Sequence, residues 1–372
     1  MITIHDRNSL WGILSGILVV MISVFIWFST PWPVHAEELP QETEAYCLSC
    51  HGNPDLVLDL PSGEKLSLYI DLEMLKGSIH SPQGIECQAC HTGIKTYPHP
   101  EQPYQTSREL SRAYYEACQK CHASNYKLAQ DSIHAQAALA GKLEAPVCTD
   151  CHGAHDVHSP HVPRSKISDT CGQCHSKVNQ AYLSSVHGGA LIQESNLDVP
   201  VCTDCHGVHN IQDPRTAQFR VKSPDLCAEC HADPKLMGKY GLSTDVYSLY
   251  QTSWHGVDLK VYKANWPTIW HDSAVCTDCH GVHDIRKTND PMSLVNPVNL
   301  LSTCQKCHPG AGANWTQAWT GHNRISFERT PILFYVDSFY STFVPLVLWG
   351  SILYVSLQIL RSTVEKVRKS IA

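Results

Sequence analysis

All 18 cysteines of this 372-residue chain fall in one pattern, Cys-x-x-Cys-His, which occurs nine times. The pairs are Cys47/Cys50, Cys87/Cys90, Cys118/Cys121, Cys148/Cys151, Cys171/Cys174, Cys202/Cys205, Cys227/Cys230, Cys276/Cys279 and Cys304/Cys307. The histidines closing them are His51, His91, His122, His152, His175, His206, His231, His280 and His308. This spacing lets two thiols add across the porphyrin vinyl groups while the adjacent imidazole sits under the iron. A zinc ribbon needs paired cysteines but no histidine after each second one, and a disulfide framework has no use for it either. Nine covalently bound haem c groups are therefore expected, with these nine histidines as proximal iron ligands; no residue is assigned a catalytic role.

Low-spin haem needs a second axial ligand, commonly histidine or methionine. One kind of site is followed after a spacer by a histidine, usually in Ser-x-His: His80, His134, His187 and His255, with His322 as Gly-His after His308. The other kind carries its histidine three residues on, in Cys-His-Gly-x-His: His155, His209 and His283. The site at His91 lacks that residue, but Pro-His-Pro places His99 nearby. These nine match the nine irons, so every haem is expected to be bis-histidine ligated. A Cys-His-Gly-x-His imidazole cannot easily reach the far face of its own haem and is expected to serve a neighbour. Spacing does not assign each distal histidine to an iron. His158, His161 and His271 remain over. His271, five residues before Cys276, is an alternative to His255, but the Ser-Trp-His-Gly run matches Ser-Val-His-Gly at His187 and favours His255. Met74, Met237 and Met292 occupy no repeated position.

The 276 residues from Cys47 to His322 leave about 31 per haem, too few for a conventional core around each. Small chains with little core depend on metals and cross-links. The fold class expected is mostly α with extensive irregular loops, the haems packing its interior, plus one C-terminal transmembrane helix. The expected organisation is a signal peptide at 1–36, a nine-haem extracytoplasmic domain of two-haem repeats at 37–325, a juxtamembrane linker at 326–338, a transmembrane helix at 339–360 and a basic cytoplasmic tail at 361–372. The signal rests on Arg7, the apolar run Leu10 to Phe28 and the small-residue cleavage pattern ending at Ala36; an uncleaved anchor is the alternative. No charge interrupts Phe339 to Leu360, and Arg361, Lys366, Arg368 and Lys369 outnumber Glu365 beyond it, which puts that end in the cytoplasm. Pro345 within this span calls for a neighbour to satisfy the freed carbonyl, and a partner subunit is one. The net charge of −7 and the lack of a basic cluster outside the tail argue against nucleic-acid binding.

From Cys47 to the C-terminal helix, with these motifs and paired histidines, the chain resembles the membrane-anchored multihaem c-type cytochromes with bis-histidine haems. That group includes tetrahaem quinol dehydrogenases of the NapC/NirT kind, cytochrome c554-like carriers and hydroxylamine-oxidoreductase-like octahaem proteins. The quinol dehydrogenases place their anchor at the N-terminus. The octahaem enzymes share a C-terminal anchor but need an open iron, sometimes attached through Cys-x-x-Cys-Lys, which does not occur here.

Two functions follow as expectations. The first is a membrane-anchored nonahaem electron carrier on the periplasmic side of a bacterial cytoplasmic membrane, serving anaerobic respiration. Its single helix has no histidine pair for a b-type haem, so an integral quinone-reactive subunit such as a b-type cytochrome is the expected membrane partner. A soluble periplasmic cytochrome or reductase is the partner at the other end. The second function is a multihaem reductase or oxidase of a small nitrogen or sulfur compound, which requires one five-coordinate haem.

Overall fold

The computed structural model describes residues 43–95, 98–99, 103–159, 161–318 and 321–371. The expected export signal at 1–36 lies outside them. As expected, the haem region is mostly helical with extensive loops: its helices run from four residues (Cys87–Cys90) to fifteen (Ala217–His231). The one sheet among the described residues is an antiparallel hairpin pairing Val57–Asp59 with Lys65–Ser67, with Leu58 opposite Leu66.

Helix starts explain much of the repeated sequence. In Ser-x-His, the serine is an N-cap: Ser132 Oγ accepts from Ala135 N, Ser185 from Gly188 N and Ser253 from Gly256 N. Such a cap satisfies one of the four orphan N–H groups of a helix start. It also fixes the histidine two positions later on the first turn. The glycine after His187 has a packing reason. A Cβ on Gly188 would lie 2.1 Å from Tyr182 O, and one on Gly256 2.1 Å from Tyr250 O.

The apolar core is small and local. Val221, Tyr250, Leu259 and Val275 form one buried cluster, and Tyr182, Leu191 and Val201 another. The two are the same design in successive repeats. Each tyrosine stands three residues before the capping serine and donates its hydroxyl to the carbonyl two residues before the Cys-Thr-Asp-Cys motif, Tyr182 to Pro200 O at 2.8 Å and Tyr250 to Ala274 O at 2.9 Å.

The C-terminal helix spans Pro331–Ile371 without a break at Pro345. It therefore starts inside the segment expected as a linker and continues through the expected tail. Pro331 suits a first helical position because its fixed φ is pre-set and no N–H is needed there. Ser326 O accepts from Thr330 N just before it, and Arg361 pairs with Glu365 one turn on at 3.0 Å near the far end. The helix has an 18-residue window of mean hydropathy 1.9 with nothing buried. Its length of about 61 Å at 1.5 Å per residue exceeds a bilayer core of about 30 Å, so it is long enough to cross and project on both sides.

Candidate haem-ligand pairs

The structure sets each of the nine motif histidines against one of the nine imidazoles expected as distal ligands. The pairs are His51 with His99, His91 with His155, His122 with His80, His152 with His209, and His175 with His134. His206 meets His283, His231 meets His187, His280 meets His322, and His308 meets His255. Ring centroids are 6.0 Å apart in the closest pair and 6.4 Å in the widest. Two imidazoles on opposite sides of one first-row metal, with bonds of about 2.0 Å and ring centres about 1.1 Å behind the nitrogens, would place centroids about 6.2 Å apart. The gap in each pair thus fits one iron.

The connectivity is not readable from spacing. Each Cys-His-Gly-x-His imidazole faces the preceding site of its own kind: His155 goes back to His91, His209 to His152 and His283 to His206. Each Ser-x-His imidazole reaches forward, so His134 leaves His122 and meets His175, and His187 meets His231. His271 joins no pair. Its ring stacks on Tyr262 at 3.8 Å and its Nε2 lies 2.8 Å from Asp258, so His255 keeps the place opposite His308. His158 lies 3.6 Å from Asp156, and His161 hydrogen-bonds Ser159.

Burial favours the form a metal needs at several of these imidazoles. Desolvation and the neighbouring His155, His51 and His99 push His91 down to about 4, and desolvation with His231 takes His187 to about 4 as well. His152, His206, His280 and His322 shift down for the same leading reason. A neutral ring is the ligating state. Arg112 Nη1 is buried without a hydrogen-bond partner among the described residues; a propionate is an acceptor of suitable charge.

Consecutive motifs touch. The thiols of Cys47 and Cys87 lie within electrostatic range of each other, as do those of Cys118 and Cys148, Cys171 and Cys202, and Cys227 and Cys276. Between these couples, Cys90 lies in electrostatic range of Cys118 and Cys121, and Cys151 of Cys171 and Cys174. Cys205 stands in the same relation to Cys227, and Cys279 to Cys304 and Cys307. The nine sites therefore line up in space in the order of the sequence.

The eighteen attachment cysteines are not equally sheltered. The first cysteine of each motif is half-buried, because in four couples it packs against the first cysteine of the next motif. The second lies three positions on, nearly a full turn away, and is not part of that contact. Cys50, Cys121, Cys174 and Cys307 are exposed in this way, as are Cys90, Cys151 and Cys205, whereas Cys230 and Cys279 are half-buried. Exposure does not remove Cys50, Cys121, Cys174 or Cys307 from the expected attachment set. A thiol that bonds to a vinyl group must face the porphyrin edge rather than be enclosed by polypeptide, and the haem itself is its expected cover.

Two fasteners that sequence reading missed alternate along this line. Within a couple, an arginine grips the aspartate of Cys-Thr-Asp-Cys: Arg108 with Asp150 at 2.9 Å, Arg164 with Asp204 at 2.5 Å and Arg220 with Asp278 at 2.8 Å. The same aspartates accept the N–H of Val147, Val201 and Val275. Arg164 and Arg220 each stand seven residues before a first cysteine but Arg108 stands ten before Cys118, so no constant register signals them. Between couples, a backbone N–H next to the Ser-x-His histidine crosses to a carbonyl two residues past a Cys-His-Gly-x-His histidine. These are Ile79 N to Val157 O, Ile133 N to Ile211 O and Val186 N to Ile285 O, at 2.9, 2.8 and 2.8 Å.

Residues 79–176 match the Cytochrome c3 family and residues 196–236 match the Doubled CXXCH motif family. No curated protein and no solved structure matches the chain. The two matches span four and two of the attachment motifs respectively. Together they support a multihaem c-type cytochrome carrying covalently bound haem c, and with it a role in electron transfer.

Proposed function

We propose that the protein is a membrane-anchored nonahaem cytochrome that passes electrons between a quinone-linked membrane partner and periplasmic redox proteins in anaerobic respiration. The observation that carries this reading is the set of nine imidazole pairs at iron-spanning distance. The eighteen histidines are the proposed axial ligands, and the eighteen cysteines hold the porphyrins. Bound haem iron supplies one-electron chemistry, at potentials lower with two imidazoles than with a thioether. The chain's own part is to fill both axial positions, which leaves no place for a substrate, and to keep successive sites in contact along the line.

The membrane side of the reading rests on the C-terminal helix and its basic end. The helix holds no histidine, so oxidation of a quinol is assigned to an integral partner such as a b-type cytochrome. A soluble cytochrome or reductase takes the other end of the line.

Low-temperature EPR of the oxidised, purified protein, with mass spectrometry of the haem-loaded chain, tests this. Nine haems and wholly low-spin ferric signals are expected. A substantial high-spin signal at full haem loading would instead favour a reductase or oxidase with an open iron.

A further inference from the structure

One stretch of the haem domain serves no ligand. From the Ser-x-His histidine to the next Cys-Thr-Asp-Cys motif the chain runs 14 residues at His134 and 15 at His187, but 21 at His255. The extra length extends the helix Trp254–Asn265 and the turn behind it, which carries Trp266, Ile269 and Trp270. These three side chains are 50%, 54% and 54% exposed. No tryptophan occurs between residues 43 and 253, whereas five occur between 254 and 319.

The turn is fastened from within and bare outside. Arg220 lies 5.1 Å over the Trp270 ring, and the Trp270 indole N–H donates to Asp272 at 2.9 Å. His271 stacks on Tyr262 and bonds Asp258, and Ser273 also donates to Asp258. A segment held this firmly keeps its apolar rings outward without collapsing over them. It also sits at the anchored end of the molecule. Arg324 pairs with Asp245 at 2.8 Å, at the head of the helix Val246–Thr252 that leads into Trp254. From Arg324 only seven residues remain to Pro331, a span of at most about 25 Å.

We propose that the Trp266–Trp270 turn is a lipid anchor that lies at headgroup level in the bilayer entered by the C-terminal helix. Tryptophan favours that zone because its ring is apolar and its N–H is polar. The consequence is a fixed height: the His255–His308 end of the line is held at the membrane, and the His51–His99 end projects away. The inference rests on the membrane reading above, and its test separates the two.

The full-length protein is placed in phosphatidylcholine nanodiscs doped with a lipid carrying a diazirine near the glycerol, irradiated, and mapped by peptide mass spectrometry. Label is expected on the peptide covering 264–271 and on the 331–360 helix, and not on 107–145. Label on the helix but not on 264–271 overturns the anchor, leaves the membrane reading standing and gives the turn to a protein partner. No label on either removes both. A W266S/W270S variant with an unchanged low-spin spectrum is expected to lose label on 264–271 at least fivefold while the helix keeps its own; undiminished label on 264–271 in that variant overturns the role of the tryptophans.

Discussion

The three Cys-Thr-Asp-Cys-His-Gly repeats and the N-terminal couple of sites reach the same ligand geometry on different scaffolds. In the repeats, an Arg–Asp grip joins each couple, and a glycine after the motif histidine turns the chain at φ +82 to +84°. At the site of His91, Ala89 replaces the aspartate and Thr92 the glycine. A small hairpin fills in, tied to the next segment by Ser62 N to Gln105 O and by Ser107 N to the Glu64 carboxylate. Yet His51 and His99 stand 6.1 Å apart, as do His152 and His209. Two different scaffolds thus deliver the one imidazole spacing that a shared iron would require.

That comparison is open to breaking, and acid is the broadest tool. His91 belongs to the N-terminal couple and His187 to the repeats, and both are pushed down to about 4 by burial. A histidine whose folded pKa lies below the usual value near 6.5 stabilises the fold fully above that value, and the contribution is lost as pH falls through about 4. Loss of the low-spin visible spectrum on acidification should set in well below the usual imidazole value near 6.5 and in both regions together. Collapse of part of the spectrum at a clearly higher pH would show that one scaffold protects its imidazoles less well.

Next in size is Gly188→Ala. The new methyl meets Tyr182 O, a backbone atom that cannot swing aside, and overpacking of this kind costs about 3 kcal/mol. The preceding repeat carries Ala135 at this position, and Ala129 where the tyrosine would be. Ala135→Gly should therefore cost under about 1 kcal/mol, the ordinary helix penalty, in the same urea titration.

Replacing Arg220 by alanine strips Asp278 of its main partner and is expected to cost about 2–3 kcal/mol. The pair is largely shielded, with the Arg220 side chain 15% exposed. Ala89→Asp, which gives the N-terminal couple the carboxylate without the arginine, should bring no stabilisation. A gain there by chemical denaturation would mean the aspartate acts without its grip.

His209→Met should raise one midpoint potential on the order of 0.1 V while all attached haems remain, read by spectroelectrochemical titration. No change would make His209 a bystander despite its 6.1 Å approach to His152. Smallest is Ser185→Ala, which removes the cap on Gly188 N and should cost about 1 kcal/mol. Its effect on the His187–His231 pair would appear as broadened low-spin EPR lines before any loss of stability.

The amino-acid sequence alone set out the candidate chemistry: which thiols and imidazoles stand in attachment motifs, how many motifs there are, and that the two kinds of histidine together match them in number. These are local facts, since a haem attachment motif is five consecutive residues and an N-cap is three. It also marked the apolar C-terminal segment, because a bilayer reads composition and length. Only the tertiary structure decided that Ser-x-His reaches forward and Cys-His-Gly-x-His reaches back, that consecutive sites neighbour each other in order through first cysteines within a couple and a second cysteine between couples, and that Arg108, Arg164 and Arg220 close the couples. Most of those contacts join residues some 30 to 60 positions apart, and loops of variable length between them erase any fixed spacing. Pairing at that range is set by which faces pack together, a property of the folded chain that no short window of residues carries.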